Sequence, residues 1–114
     1  MNGRLEYRFD AGKVTTPCYL VDTGLLRQNL DILAGVKART SCRILLALKC
    51  FSMFRVFPLI AAKLDGVCAS SPHEARLGFE EFGGEVHTFG AAYSAMDMAE
   101  LCQTSDHILF NSLS

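Results

Sequence analysis

Lys49 ends the apolar run Ile44-Leu45-Leu46-Ala47-Leu48 and is followed at once by Cys50, Phe51 and Ser52. A lysine at the carboxyl end of a buried strand stands where a parallel α/β sheet or barrel opens onto its ligand. Its amine can hold a carbonyl cofactor as a Schiff base. The competing reading is a strand-end charge that reaches solvent on its aliphatic stem. Ser70 and Ser71 follow the run Gly66-Val67-Cys68-Ala69, His87 lies within Glu85-Val86-His87-Thr88-Phe89, and Asn111 follows His107-Ile108-Leu109-Phe110. If these runs are parallel strands, their carboxyl ends share one rim, and the four residues are candidates to gather with Lys49 there. Each also has a structural explanation. Ser71 suits a helix N-cap with Glu74 as its capping-box partner, His87 a hydrogen-bonded interior histidine, and Asn111 a turn.

The elements that would position these residues follow from periodicity. Apolar runs begin near Cys18, Arg43, Gly66, Glu85 and His107, and amphipathic stretches of helical period fill the gaps between them. Leu26, Leu30 and Leu33 place a stripe on the first helix, and Met53, Val56, Phe57, Ile60 and Leu64 do so on the second, so both are expected to face the sheet. Ser71-Pro72-His73-Glu74 starts the third helix and Gly83-Gly84 ends it. A fourth is expected after Ser94, with Asp97 in its first turn, stopping near Gln103. Several strands read as near-continuous apolar runs, which predicts a parallel sheet covered on both faces. Four βα units plus a fifth strand fit two architectures, the first half of a (β/α)8 barrel or a complete flavodoxin-like open sheet. Residues 1–114 read as one domain with no linker or low-complexity segment, and Arg4 to Phe9 as a possible short extra strand.

Composition excludes several classes. The net charge is −1 and the basic residues are scattered, which argues against nucleic acid as a partner. No apolar stretch approaches the ~20 residues that cross a bilayer, and the first residues carry mixed charge, so the chain reads as cytoplasmic and away from membranes. Five cysteines (Cys18, Cys42, Cys50, Cys68 and Cys102) form an odd count without a C-x-x-C pair, which points to small packing residues instead of disulfides or zinc. His73, His87 and His107 show no metal-ligand spacing in sequence, so no metal is expected.

The segments ILLALK (44–49), ASSPHEARLGFEEFGGEVHT (69–88) and SDHILFNS (105–112), with Thr16-Pro17-Cys18-Tyr19-Leu20-Val21-Asp22 before them, resemble the fold-type III pyridoxal-phosphate decarboxylases. The likeness is to the carboxynorspermidine (carboxyspermidine) decarboxylase branch and runs from Thr16 to Ser112. It implies an amino-terminal half of a (β/α)8 TIM-type barrel, with the other half and a separate β domain absent, since a closed barrel takes about 250 residues. It favours that half barrel over the flavodoxin-like sheet. Residues 1–15 would then belong with the β domain. It also implies pyridoxal 5'-phosphate on Lys49, with His87, Ser71 and Asn111 as cofactor neighbours, a polyamine substrate and a homodimeric parent enzyme. Cys68 stands where ornithine-type relatives carry an aspartate, and Gly90-Ala91 stand where the branch carries serine and proline. The family's phosphate loop, pyridine-nitrogen acid and cross-subunit cysteine lie beyond Ser114, so Cys50 does not take that cysteine's role, and the isolated chain is expected to be inactive and self-associating. A non-catalytic carrier of the same cofactor is the alternative within this group.

Overall fold

The computed structural model describes residues 9–113. Helix α1 (Thr23–Thr40) leads into strand β1 (Leu45–Ala47). A 3-10 turn (Phe54–Val56) and the short helix α2 (Phe57–Ala61) precede β2 (Gly66–Ala69). Then follow α3 (Pro72–Glu81), β3 (Glu85–Gly90), α4 (Ala95–Thr104) and β4 (His107–Phe110). The four strands form one parallel sheet in the order β1-β2-β3-β4. A flavodoxin-like sheet would insert an earlier strand between β1 and β2, but these two pair directly, which removes that architecture.

The helices cover only one face of the sheet. Leu30 of α1, Phe57 and Ile60 of α2, Ala75 of α3 and Leu101 of α4 are buried with Leu48, Val67, Ala69 and Val86 in one cluster. Alternation along the strands places Glu85, His87 and Phe89 of β3 on the other face, with Cys68, His107 and Leu109 beside them. Among the described residues no helix lies over this second face, where Phe89 and Leu109 remain 44% and 47% exposed. The expectation of cover on both faces is therefore corrected. One-sided helices are what a barrel requires, because its inner face is filled by side chains of its own strands.

The expected strand at Cys18 is also absent. Residues 18–22 carry no strand, and Tyr19 and Leu20 are 93% and 55% exposed, so no apolar burial holds this segment as a fifth strand against the β1 edge. The possible strand at Arg4 to Phe9 lies outside the described residues apart from Phe9, which is not in a strand. The cysteines differ from expectation as well. Cys18, Cys42, Cys50 and Cys102 are exposed because they fall on loops, a turn and an outer helix face, and Cys68 is half-buried on the uncovered face of β2.

Caps account for the helix limits. Asp22 accepts the amides of Gly24 and Leu25 at 2.8 and 3.0 Å and starts α1. Ser71 accepts the Glu74 amide at 3.2 Å and starts α3, whereas the Glu74 carboxylate accepts the amide of Ser70, one residue before the cap, at 2.7 Å. Ser94 and Asp97 complete a reciprocal capping box on α4. After α3 the chain passes through Gly83 at φ +76°, a backbone conformation that glycine adopts without steric cost.

Aspartates at the amino ends of strands fix the pairing. Asp65 Oδ2 accepts the Ile44 amide at 2.8 Å while the Asp65 amide donates to the Ile44 carbonyl at 3.0 Å. Asp106 does the same to Val86, at 2.8 and 2.9 Å. Asp65 Oδ1 also accepts Lys37 Nζ at 2.8 Å, tying the end of α1 to the sheet. Behind the sheet, Gly78 of α3 lies so close to Val67 that a Cβ would come within 2.3 Å of Val67 Cγ2.

Two outcomes are expected from this packing. Gly78→Ala gains up to ~1 kcal/mol of helix propensity but overpacks against fully buried Val67, which costs about 1–3 kcal/mol. Urea unfolding should therefore show net destabilisation, while Gly35→Ala in α1, where a Cβ meets open space, should stabilise by up to ~1 kcal/mol. The Lys37 hydrogen bond, joined by that from the Ile44 amide, holds the Asp65 carboxyl below its ordinary value of 3.8. A depressed folded value means its stabilisation is present above 3.8 and fades as pH falls through the lower folded value. The melting-temperature gap between the native chain and Asp65→Ala should accordingly close on acidification through that window.

Candidate functional site

The carboxyl edge of the sheet brings the rim candidates together. β1 ends at Ala47 and the chain turns over Leu48–Cys50, leaving Leu48 buried and Lys49 exposed on the edge. Lys49 thus stands exposed two residues beyond the end of β1. From the Ala47–Cys68 pair, two further residues bring Lys49 level with Ser70, and Asn111 directly follows β4 on the same edge. Ser71 is at this rim too, its hydroxyl engaged by the Glu74 amide.

His87 is not at the strand end. It is the third residue of β3 and pairs in register with Cys68 and His107. It therefore lies two residues, roughly 6–7 Å, deeper than the Lys49 row. It projects onto the uncovered face, half-buried, with Nε2 3.0 Å from Glu85 Oε2, a spacing at which the imidazole donates to the carboxylate. The rings of His87 and His107 lie against each other at a centroid distance of 4.3 Å, tilted by 43°. Glu85 also pairs with Arg43. The hydrogen bond from His87 does most to hold the Glu85 carboxyl below its ordinary value; burial opposes the shift and Arg43 adds to it.

The four lysines separate clearly. Lys13, Lys37 and Lys63 pair with Asp10, Asp65 and Asp31 at 3.7, 2.8 and 2.9 Å. Lys49 has no ion pair or hydrogen bond among the described residues. A covalent amine must shed its proton, and a carboxylate partner would hold that proton on. The rim beside it is bounded by the segment Tyr19–Val21 and the loop Cys50–Arg55, which line a shared cleft.

Gly90 has a local cause. Its missing side chain makes room for Tyr93, whose ring would stand 2.7 Å from an added Cβ, and Tyr93 donates its hydroxyl to the Leu109 carbonyl at 2.7 Å. The loop after β3 is thus fastened to β4, with the Tyr93 and Phe110 rings edge to face at 5.5 Å. Sequence reasoning missed Glu85 and His107 as neighbours of His87, and Arg43 as the partner of Glu85. The available signal was Glu85 and His87 at spacing two, which share a strand face.

Known proteins resemble this chain over most of its length. No family model matches it. A carboxynorspermidine/carboxyspermidine decarboxylase of Herminiimonas arsenicoxydans is 40% identical over 101 residues, 89% of this chain and 28% of that protein. A carboxyaminopropylagmatine decarboxylase of Synechocystis is 41% identical over 98 residues, 86% of this chain and 25% of that protein. The crystal structure of carboxynorspermidine decarboxylase complexed with norspermidine, from Campylobacter jejuni, superposes with a TM-score of 0.84 at 33% identity, covering 88% of this chain and 27% of that one. The chain spans about a quarter of the length of the relatives it matches. The resemblance read from the sequence is borne out by these relatives, and the fold agrees with it in its parallel βα sheet. The flavodoxin-like and carrier alternatives are not favoured.

The Gly90–Tyr93 contact makes a specific demand. Gly90→Ala should push the Tyr93 ring off the Leu109 carbonyl and forfeit that hydrogen bond, about 1 kcal/mol. In a Tyr93→Ala background the same substitution should be close to neutral, a non-additivity that a thermal-unfolding double-mutant cycle measures.

Proposed function

We propose that this chain is the cofactor-lysine segment of a pyridoxal-phosphate-dependent decarboxylase of polyamine biosynthesis, with carboxynorspermidine or carboxyspermidine as substrate. Residues 1–114 form one partial barrel domain whose amino-terminal segment, residues 1–15, supplies a strand to a β domain, and the parent enzyme works as a cytoplasmic homodimer. One observation carries the assignment of the amine: Lys49, alone among the four lysines, stands on the carboxyl rim of the sheet with no carboxylate partner among the described residues. The decarboxylase names of the relatives support the reaction.

The residues present fit the cofactor. When bound, pyridoxal phosphate supplies an electron-accepting ring that takes up the pair released as the substrate carboxylate leaves as carbon dioxide. Lys49 Nζ would hold it covalently through its deprotonated amine, which the substrate amine would replace. His87, on the uncovered face below Lys49, would border the ring, its imidazole held in orientation by Glu85. Asn111 offers an amide at the rim, whereas Ser71 contributes chiefly by capping α3, which fixes the turn after β2.

The Synechocystis relative favours a second reading of the substrate, carboxyaminopropylagmatine. It and the other two substrates share a carboxylated aminopropyl arm and differ in the remainder of the molecule. Carbon dioxide release from all three substrates, assayed in parallel on the full-length protein, ranks the two readings.

Borohydride reduction of the full-length protein with pyridoxal phosphate should label the peptide containing Lys49. Lys49→Arg should lose both label and turnover, because a guanidinium keeps its proton and cannot bond to the aldehyde. A label on Lys37 or Lys63 would overturn the assignment.

A further inference from the structure

Glu85, His87 and His107 are far from adjacent as a set in the sequence, yet the fold places one ligand atom of each within 4.8 Å of the others. We propose that these three side chains form a site for a divalent transition-metal ion, of the zinc, cobalt or nickel class, on the uncovered face of the sheet. Two geometric facts build it. Glu85 and His87 are two apart on β3 and so project to the same face, and His107 is the residue of β4 in register with His87. A rise of ~3.3 Å per residue and a strand spacing of ~4.8 Å bring such a triplet within the reach of one ion.

The donor chemistry is suitable. Two imidazoles and one carboxylate bind borderline ions at about 2.0–2.2 Å, and three protein donors leave a fourth position for water. Seating an ion replaces the His87 Nε2 to Glu85 Oε2 hydrogen bond and needs only side-chain rotation, since neither group is fully buried. Arg43 pairs with the other carboxylate oxygen, Oε1, so Oε2 is the one turned toward the imidazole. Arg43 thereby orients the ligand as an outer partner does, while its charge lowers affinity below that of a closed structural zinc site. An ion here would pin β3 to β4 and fix the His87 ring. The site shares His87 and Glu85 with the reading proposed above, whereas His107 belongs to this site alone and Lys49 to the cofactor alone.

Cobalt(II) titration of the full-length protein, kept reduced and free of pyridoxal phosphate, tests the site. Saturable visible d–d bands with nitrogen and oxygen character are expected, one ion per chain. His107→Ala and His87→Ala should each abolish them, and zinc should displace the cobalt. His107→Ala should still take the borohydride label on Lys49, so failure of the metal site and failure of the cofactor assignment read out separately. Absence of saturable bands, bands unchanged in His107→Ala, or a thiolate-to-cobalt charge-transfer band marking cysteine ligation would each overturn the proposal. His107 is exposed, so the alanine variant should fold; if its circular dichroism is lost, His107→Gln replaces it and is judged by the same bands.

Discussion

Register in the parallel sheet depends on a carboxylate placed just ahead of a strand. A parallel pair has no tight turn to set its alignment, and a slip of one residue would send every side chain to the opposite face. Asp65 and Asp106 meet this need in the same way, each taking an amide from the neighbouring strand region through its side chain and returning its own amide to the carbonyl of that residue. The Ile44–Asp65 and Val86–Asp106 pairs are closed on both sides. Because Lys37 joins the first pair, the end of α1 is positioned by the same carboxylate that aligns β1 with β2. With those two alignments fixed, Val67, Val86 and Thr88 must face the helices, and Cys68, His87 and His107 must face away.

That division of faces separates stability from chemistry. The helix side is dry: Phe57, Ile60, Val67, Val86 and Leu101 are at most 2% exposed, and burying each such side chain contributes about 1.5–3 kcal/mol. Its one fully buried polar residue among those described, Thr88, shares a hydrogen bond of 2.8 Å with Ser105 and so carries no unpaired hydroxyl. The other face holds Arg43, Glu85, His87 and His107, groups that would be costly on the dry side and are half-buried or exposed here. Lys49 stands where the chain leaves the dry layer, its neighbour Leu48 anchored at 2% exposure while its own amine reaches solvent.

Much of this architecture was legible in the residues. The stripe Leu26, Leu30 and Leu33, the caps at Ser71 and Ser94, and the stop at Gly83-Gly84 all mark helix limits through local hydrogen bonding and backbone freedom, which depend on neighbours in sequence. The run before Lys49 announced a strand ending in an amine. Illegible were the failure of Cys18 to Val21 to form a strand and the exposure of four cysteines. An apolar run says what would be favourable to bury, and only the assembled sheet says whether a partner surface is within reach.

Sequence alone determined the helices, the four strands that formed, the parallel βα order and the candidacy of Lys49, because each rests on short-range spacing. Tertiary structure decided which residues share the uncovered face. His87 stands at mid-strand instead of the strand end; Glu85 and His107 became its neighbours, with Arg43 on Glu85; and, among the described residues, three of the four lysines acquired carboxylates while Lys49 did not. Those facts depend on register between strands some twenty residues apart, and register is a property of paired backbones, fixed here by Asp65 and Asp106, which no periodicity within a single strand encodes.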